Sequence, residues 1–199
     1  MTSGAAASSE AIKQAKAALR QQVLVRRDAV DVATRNHNSK AITEKLRALP
    51  AYRAAKVVAA YASFGSELDT GEFLAGILED SKQLLLPWIN RAQRVLELRQ
   101  VIDLHADLVA GVWGIREPAE RCLLASPATI EFMLVPGVAF TTDGARLGYG
   151  GGFYDRLLAS FDRRIARVAA AFELQVVDQL PEGPHDQRVD MVVTEKFTT

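Results

Sequence analysis

The chain has little of what would mark a secreted, membrane-bound or nucleic-acid-coating protein. Its 199 residues contain a single cysteine, Cys122, which excludes an internal disulfide, disfavours a cysteine zinc site and predicts a reducing cytoplasm. Its 24 basic and 24 acidic residues cancel, which argues against a general nucleic-acid or membrane-surface binder. Hydrophobic residues nevertheless make up 49% of the chain, enough for a sizeable core.

Long apolar runs and targeting signals are also missing. No stretch approaches the length of a membrane-spanning helix. The opening M-T-S-G-A-A-A-S-S lacks the basic start and apolar core of a signal peptide. We predict that residues 1–9 form a disordered tail and that residues 10–199 form a single domain without an obligate protein partner.

What is present is an alternation of helical and extended patterns. Apolar spacing predicts helices over residues 9–30, 35–49 and 156–161, and a further one around 73–78 that begins at Thr70. Strands are predicted at 56–61, 83–87, 94–101, 132–136, 167–172 and 191–193. This order predicts an α/β domain with a mostly parallel sheet flanked by helices. Ligands of such folds lie beyond the carboxyl ends of the strands.

The most informative segment is R-L-G-Y-G-G-G-F-Y-D, residues 146–155, which holds four of the 13 glycines. Glycine reaches positive φ at little cost, so successive N–H groups can converge on an anion. Arg146 adds a fork of donors suited to phosphate, and Asp155 adds a carboxylate for a phosphate-bound cation. The segment predicts a phosphate and Mg²⁺ cradle, although the glycines alone would equally suit a turn. It is neither a P-loop nor a dinucleotide fingerprint.

The wider segment 135–156 resembles the signature of the 5-formyltetrahydrofolate cyclo-ligase family, roughly P-G-x-A-F-x-x-x-G-x-R-L-G-x-G-x-G-[FY]-Y-D-R. The resemblance implies ATP-dependent conversion of 5-formyltetrahydrofolate to 5,10-methenyltetrahydrofolate, with release of ADP and phosphate. It implies Arg146 and Lys16 as catalytic residues. The ATP-binding residues that it implies are Lys16, Arg20, Arg146, Leu147, Gly148, Tyr149, Gly150, Gly151, Gly152, Phe153 and Tyr154.

A second element, K-A-A-L-R, lies in the first predicted helix. Lys16 and Arg20 are four residues apart, so both side chains can point at one anion. Read alone, such a pair is more often merely solvated. The family that the chain resembles carries a similar K-x-x-L-R element whose basic residues reach the ATP phosphates, and this resemblance favours the binding interpretation.

Further elements concern the folate. Glu67, in Y-A-S-F-G-S-E-L-D-T after a predicted strand, is either an acid flanking a helix or a buried acceptor for paired pterin N–H donors. Trp113, in W-G-I-R-E-P, is either core or a platform for a flat ring. Tyr154 could contact substrate or nucleotide, or simply pack. The substrate-binding residues that the resemblance implies are Ala62, Glu67, Trp113 and Tyr154.

The last element is the pair His185-Asp186, which by itself would suit a surface turn. The resemblance makes Asp186 a second Mg²⁺ ligand beside Asp155. Two carboxylates are sufficient, because Mg²⁺ takes its remaining ligands from phosphates and waters. His185 and Glu117 receive no assigned role.

The sequence leaves three alternative functions open. A non-catalytic nucleotide or folate sensor would keep the cradle without turnover. A sugar-phosphate isomerase or CoA-transferase-like enzyme would share the layered fold and need no ATP. A nucleic-acid role for the basic first helix is the third, and the balanced charge counts against it.

Overall fold

The structure is a computed structural model that describes residues 3–90, 92–111, 114–161 and 165–199, with the backbone alone described for residues 3–8. In chain order the strands are β1 (Val57–Ala59), β2 (Gln83–Asn90), β3 (Val95–Val101), β4 (Leu108–Ala110), β5 (Arg116–Pro118), β6 (Leu124–Ala125), β7 (Phe132–Leu134), β8 (Ala139–Phe140), β9 (Arg146–Leu147), β10 (Ala166–Ala170) and β11 (Met191–Val193). The helices are α1 (Ser3–Asp28), α2 (Val32–Ala48), α3 (Pro50–Ala54), α4 (Gly71–Glu79) and α5 (Phe153–Ala159). Within the described ranges, no helix is both long and apolar enough to cross a membrane.

The centre of the fold is one mixed sheet. In the part of the chain that the structure describes, it has seven strands in the order β11-β10-β7-β1-β2-β3-β6. The strands from β11 to β2 run parallel, whereas β3 and β6 are antiparallel to their neighbours. The predicted α/β class with a mostly parallel sheet is therefore confirmed.

One strand boundary differs from the prediction because a proline lies inside the strand instead of ending it. The predicted strand 83–87 continues to Asn90, because β2 forms a long antiparallel hairpin with β3. From Leu86 onwards β2 pairs with β3 alone, so Pro87 lies where a strand tolerates proline. The two-stranded pairs β4–β5 and β8–β9 and the short edge strand β6 were not predicted.

The helices differ from the prediction mainly at their ends. Helix α1 begins at Ser3 rather than Ser9, and disorder of the tail stays a prediction. Pro50 follows the end of α2, as predicted, and is also the first residue of α3. At that position an N–H would have no partner within the helix, so its absence loses no hydrogen bond. The Thr70 hydroxyl does not cap α4 as predicted. It donates to the Tyr61 carbonyl at 2.8 Å and accepts from the Ser63 N–H at 3.0 Å, so it shapes the preceding loop.

Both faces of the sheet are covered. Phe132 and Leu134 of β7 join the cluster beneath α2, α3 and α4, whereas Met133 and Val135 join the cluster beneath α5. This alternation follows from the two-residue period of a strand. A third cluster places Val23 of α1 against the β8–β9 hairpin through Val138, Ala139 and Leu147.

This packing gathers three loops at one end of the sheet. The loops after β1 and β7 follow neighbouring parallel strands and emerge at the same edge. The segment before β11 is held there because the Val189 N–H donates to the Gly144 carbonyl at 2.9 Å. Gly144 has a φ of +88°, and a Cβ there would lie 2.2 Å from the Val189 carbonyl oxygen, so this contact requires glycine.

Candidate active site

A cavity of about 920 Å³ opens between these loops and α1. Its lining includes nearly all of the residues predicted for the site: Lys16, Arg20, Ala62, Glu67, Arg146, Leu147, Gly148, Tyr149, Gly150, Gly151, Gly152, Phe153, Tyr154, Asp155 and Asp186. Trp113 lies outside the described residues. Elements separated by up to 170 positions in the chain therefore meet around one volume, which is large enough for a sizeable organic ligand.

The glycine loop curls tightly around buried side chains. Gly150 has a φ of +105° and Gly152 a φ of +66°, conformations in which a side chain would be strained. A Cβ at Gly148 would lie 3.0 Å from the Arg146 Nη1. The loop ends directly at α5, which begins at Phe153 rather than at the predicted residue 156, so Asp155 lies in the first helical turn.

Arg146 lies beneath this loop rather than on its surface. Its side chain is only 2% exposed and forms an ion pair with Asp155 through Nη2. Nη1 donates to the Pro136 carbonyl at 3.2 Å. Nε is buried with no hydrogen-bond partner among the described residues. The predicted contact between Arg146 and phosphate stays a prediction, and the structure adds that Arg146 holds the Asp155 carboxylate.

Lys16 and Arg20 share one face of α1, as the spacing indicated. The Lys16 Nζ contacts both carboxylate oxygens of Asp186, at 2.7 and 2.5 Å. The Arg20 Nε donates to the Gly148 carbonyl at 2.7 Å, which binds α1 to the glycine loop. Partial burial lowers the pKa of Arg20, and the nearby Asp186 opposes that shift. Two cations thus lie beside the loop where the sequence places the nucleotide.

Asp155 and Asp186 are brought to the same part of the cavity. The backbone N–H of Gln187, which follows Asp186, donates to Asp155 Oδ1 at 3.2 Å. Asp186 also accepts from the Gly183 N–H at 2.7 Å. Among the described residues, no group of three or more His, Cys, Asp or Glu side chains could hold a metal ion by itself.

Glu67 lies in the loop after β1, lines the cavity and is 9% exposed. Its Oε2 accepts from the Phe64 N–H at 3.0 Å, and its Oε1 accepts from the Tyr149 hydroxyl at 2.5 Å. Burial raises the pKa of Glu67, while the hydrogen bonds and the charge of Arg27 oppose the shift. Glu67 is therefore a buried acceptor, while its contact with a pterin stays a prediction.

Two features of this carboxylate site escaped the sequence analysis. Arg27, 3% exposed, donates to the Tyr149 hydroxyl at 3.1 Å and to Ser66 Oγ at 3.0 Å. Tyr149, predicted only as part of the ATP loop, turns its hydroxyl toward Glu67. The sequence could have indicated Arg27, because it follows Lys16 by eleven positions and Arg20 by seven. This spacing places all three side chains along one side of a helix.

The remaining predicted residues line the cavity in less specific ways. Leu147 is 2% exposed and packs in the cluster with Val23, so its side chain belongs to the core. Tyr154 is half-buried and packs against the cluster beneath α5. Burial raises the pKa of the Tyr154 hydroxyl, with a smaller contribution from Glu67.

Comparisons with known proteins agree with this geometry. The model of the 5-formyltetrahydrofolate cyclo-ligase family matches residues 12–195. The 5-formyltetrahydrofolate cyclo-ligase of Mycolicibacterium smegmatis is 33% identical over 186 residues, covering 92% of this chain and 95% of that protein. The NMR structure of Aquifex aeolicus 5,10-methenyltetrahydrofolate synthetase has a TM-score of 0.81 and 35% identity, covering 92% of this chain and 91% of that one. A 5,10-methenyltetrahydrofolate synthetase from Mycoplasma pneumoniae, 24% identical, shares the fold with a TM-score of 0.73 over 90% of this chain and 98% of that one.

Proposed function

The chain belongs to the 5-formyltetrahydrofolate cyclo-ligase family, and from this premise we propose how its residues carry out the reaction. It converts 5-formyltetrahydrofolate to 5,10-methenyltetrahydrofolate with ATP and releases ADP and phosphate. The γ-phosphoryl group is transferred from ATP to the formyl oxygen, and ADP is released. N10 then attacks the resulting iminium carbon, which closes the ring, and N10 loses its proton to water. Phosphate finally leaves this carbon to give the methenyl group.

One observation carries this proposal. A single cavity is lined by a cationic region, Lys16 and Arg20 beside the glycine loop, and by the buried carboxylate of Glu67. The first region suits the phosphates of a nucleotide, and the second suits a heterocycle with adjacent N–H donors. The reaction needs both substrates in contact, and this cavity has room for their reacting ends to meet.

The chemistry asks mainly for positioning and charge neutralisation. A formamide carbon is a poor electrophile and its oxygen a poor leaving group, so phosphorylation has to come first. Phosphoryl transfer needs no dedicated protein nucleophile. Lys16, Arg20 and the N–H groups of residues 148–152 hold the phosphates. Arg146 adds its positive charge to this site and also supports the loop from beneath. Holding the formyl oxygen in line with the γ-phosphate supplies the remaining advantage.

The residues present fit a Mg²⁺ ion that arrives with the nucleotide. Two carboxylates, Asp155 and Asp186, lie on the same part of the lining, and Mg²⁺ ordinarily combines one or two carboxylates with phosphate oxygens and waters. The Oδ2 of Asp155 receives no hydrogen bond from the described residues. Bound there, Mg²⁺ would neutralise phosphate charge. Each of these carboxylates is paired with a proposed phosphate-binding cation, Arg146 or Lys16, so the four groups balance one another before any ligand binds.

The folate end of the cavity is built around Glu67. Its carboxylate accepts hydrogen bonds from the pterin, and Ala62 and Tyr154 form the adjoining wall. Stacking of Trp113 on the flat ring stays a prediction from the sequence. We also place the protein in the cytoplasm, because its single cysteine, Cys122, is free and buried and no disulfide calls for an oxidising compartment.

The test is the absorbance of 5,10-methenyltetrahydrofolate. It should appear only when ATP, Mg²⁺ and 5-formyltetrahydrofolate are all present, with ADP formed in equal amount. Nucleotide binding without ADP release would identify a sensor instead. Turnover of a sugar phosphate or a CoA ester without ATP would identify an enzyme of a different class.

A further inference from the structure

A continuous chain of hydrogen bonds joins α1, the glycine loop and the loop after β1. The Ser66 hydroxyl donates to Asp28 and accepts from Arg27. Arg27 also donates to the Tyr149 hydroxyl, which in turn donates to Glu67. The chain therefore runs from α1, through the glycine loop, to the loop after β1.

The bonds to Glu67 leave a specific acceptor pattern free. A carboxylate has about four acceptor positions, two on each oxygen. Tyr149 occupies one on Oε1, and the Phe64 N–H occupies one on Oε2. One position then remains on each oxygen, which is the pattern needed by two adjacent N–H donors of a ligand. The protein's own bonds thus orient the carboxylate before the ligand arrives.

Arg27 fixes the hydroxyl that makes one of those bonds. A phenol can both donate and accept a hydrogen bond. Because Arg27 donates to the Tyr149 oxygen, the Tyr149 hydroxyl proton is directed to Glu67. Ring contact between Tyr149 and Phe64, with centroids 5.5 Å apart, holds the tyrosine over the same loop. The position of Tyr149 between Gly148 and Gly150 makes it part of the predicted nucleotide loop as well.

We propose that Tyr149 and Arg27 are positioning residues for folate binding, which hold the Glu67 carboxylate ionised and aimed into the cavity. The proposal rests on the proposed function, in which Glu67 receives the pterin. It assigns the Tyr149 side chain to the folate end, although its backbone lies in the nucleotide loop.

The first experiment is a double-mutant cycle with Tyr149→Phe and Glu67→Gln, in which 5-formyltetrahydrofolate is titrated by calorimetry and both KM values are measured. Tyr149→Phe should raise the Kd and the KM for folate about tenfold, the usual effect of losing a hydrogen bond to a charged group. The KM for ATP should stay within twofold. In the Glu67→Gln background the same substitution should add less than twofold, because its partner is already altered.

Tyr52→Phe is the matched control, because the Tyr52 hydroxyl also donates to a carboxylate, Asp80, at 2.7 Å but lies outside the cavity. It should lower the Tm without changing the KM for folate. Tyr149→Phe with unchanged folate binding would overturn the proposal, as would an equal effect in both backgrounds. Glu67→Gln without effect would remove Glu67 from the folate site, a separate failure that also overturns the assignment of Tyr149.

A second experiment addresses the charge of Arg27. Among the residues that the structure describes, the titratable groups that interact electrostatically with Glu67 are Arg27 and the hydroxyls of Tyr61, Tyr149 and Tyr154. Arg27 therefore supplies the positive charge there. Arg27→Gln should shift the loss of folate binding on acidification to higher pH, since the ionised carboxylate loses its support. Arg27→Lys should restore most of that pH profile. A profile that is identical in Arg27→Gln and the unsubstituted protein would contradict the inference.

Discussion

Substitution of the two aspartates by asparagine should separate their structural part from their metal-binding part. Asp155 is the partner of Arg146, whose side chain is 2% exposed, so Asp155→Asn leaves a buried cation without its counter-charge. Removing one member of a buried pair costs about 3–5 kcal/mol. Asp155 itself is 23% exposed, which favours the lower end, about 3 kcal/mol. In a domain of this size that corresponds to a fall in Tm of roughly 6–12 °C.

Asp186→Asn should be milder in stability. Its partner Lys16 is 15% exposed, and a lysine has a flexible stem that can carry its charge into water. We expect a loss of about 1 kcal/mol and a fall in Tm of roughly 2–4 °C. The two proteins should therefore differ clearly in thermal melts even though both lose one carboxylate.

Their effect on the metal should be alike. Each substitution should raise the Mg²⁺ concentration that gives half the maximal rate, and high Mg²⁺ should partly restore the rate. The double substitution should cost less in rate than the sum of the singles, because both residues act on one ion. Asp143→Asn is the control, since Asp143 pairs with exposed Arg188 outside the cavity. This variant should change neither the Mg²⁺ concentration for half the maximal rate nor the maximal rate itself.

The assay is the rate of methenyltetrahydrofolate formation against Mg²⁺ concentration for the parent, both single variants and the double variant, with melts alongside. Strict additivity with an unaltered Mg²⁺ dependence would refute the shared ion. A Tm of Asp155→Asn equal to that of the parent would refute the argument from the buried ion pair, independently of the Mg²⁺ dependence of the rate.

Four further predictions concern Arg146, Glu67 and the N-terminal helix. Arg146→Ala should lower kcat/KM by about a hundredfold or more, the scale for a lost preorganised charge, and an unchanged rate at subsaturating ATP would exclude it from the site. Glu67→Gln should raise the folate Kd strongly while leaving ATP affinity in place, and calorimetry of both ligands decides this. Burial raises the pKa of Glu67, so ionisation of its carboxyl lowers the stability of the folded protein as pH rises above about 4. In thermal melts, Glu67→Gln should therefore have the same Tm as the parent protein in acid and a higher Tm than the parent at neutral pH. Deleting residues 1–9 should leave activity intact, whereas deleting through Arg20 should abolish ATP binding measured by calorimetry; full activity of the longer deletion would leave Lys16 and Arg20 with a packing role only.

The sheet could be predicted where the strands are apolar runs. The runs at 83–87, 132–136 and 191–193 are short, but β-rich composition and flanking helices identify the parallel strands. The pairs β4–β5 and β8–β9 could not be found in this way. Each of their strands spans two or three residues, too few for an alternation to be read, and their pairing depends on the loops around them.

The site could be predicted where its residues form linear motifs. The glycine loop, Lys16 with Arg20, and Glu67 are each recognisable within a few positions. The contacts that organise them are not, because Tyr149 reaches Glu67 across 82 positions and Arg27 reaches Tyr149 across 122. Gly144 is a similar case. The sequence shows it only as one position of the family signature, whereas its close approach to Val189 brings Asp186 to the loop and exists only in the folded chain.

The long separations within the active site also bear on how the chain is made. During synthesis at about 5–20 residues per second, Lys16 emerges roughly 10–30 s before Asp186, which is 170 positions away. Arg20 waits for Gly148, 128 positions on, whereas Arg27 meets Ser66 after only 39. The C-terminal end of α1 can therefore be anchored early, while the half that carries Lys16 and Arg20 finds its partners late. Helix α1 therefore leaves the ribosome long before its last partners, and ATP-binding capacity should appear only after Asp186 has been made.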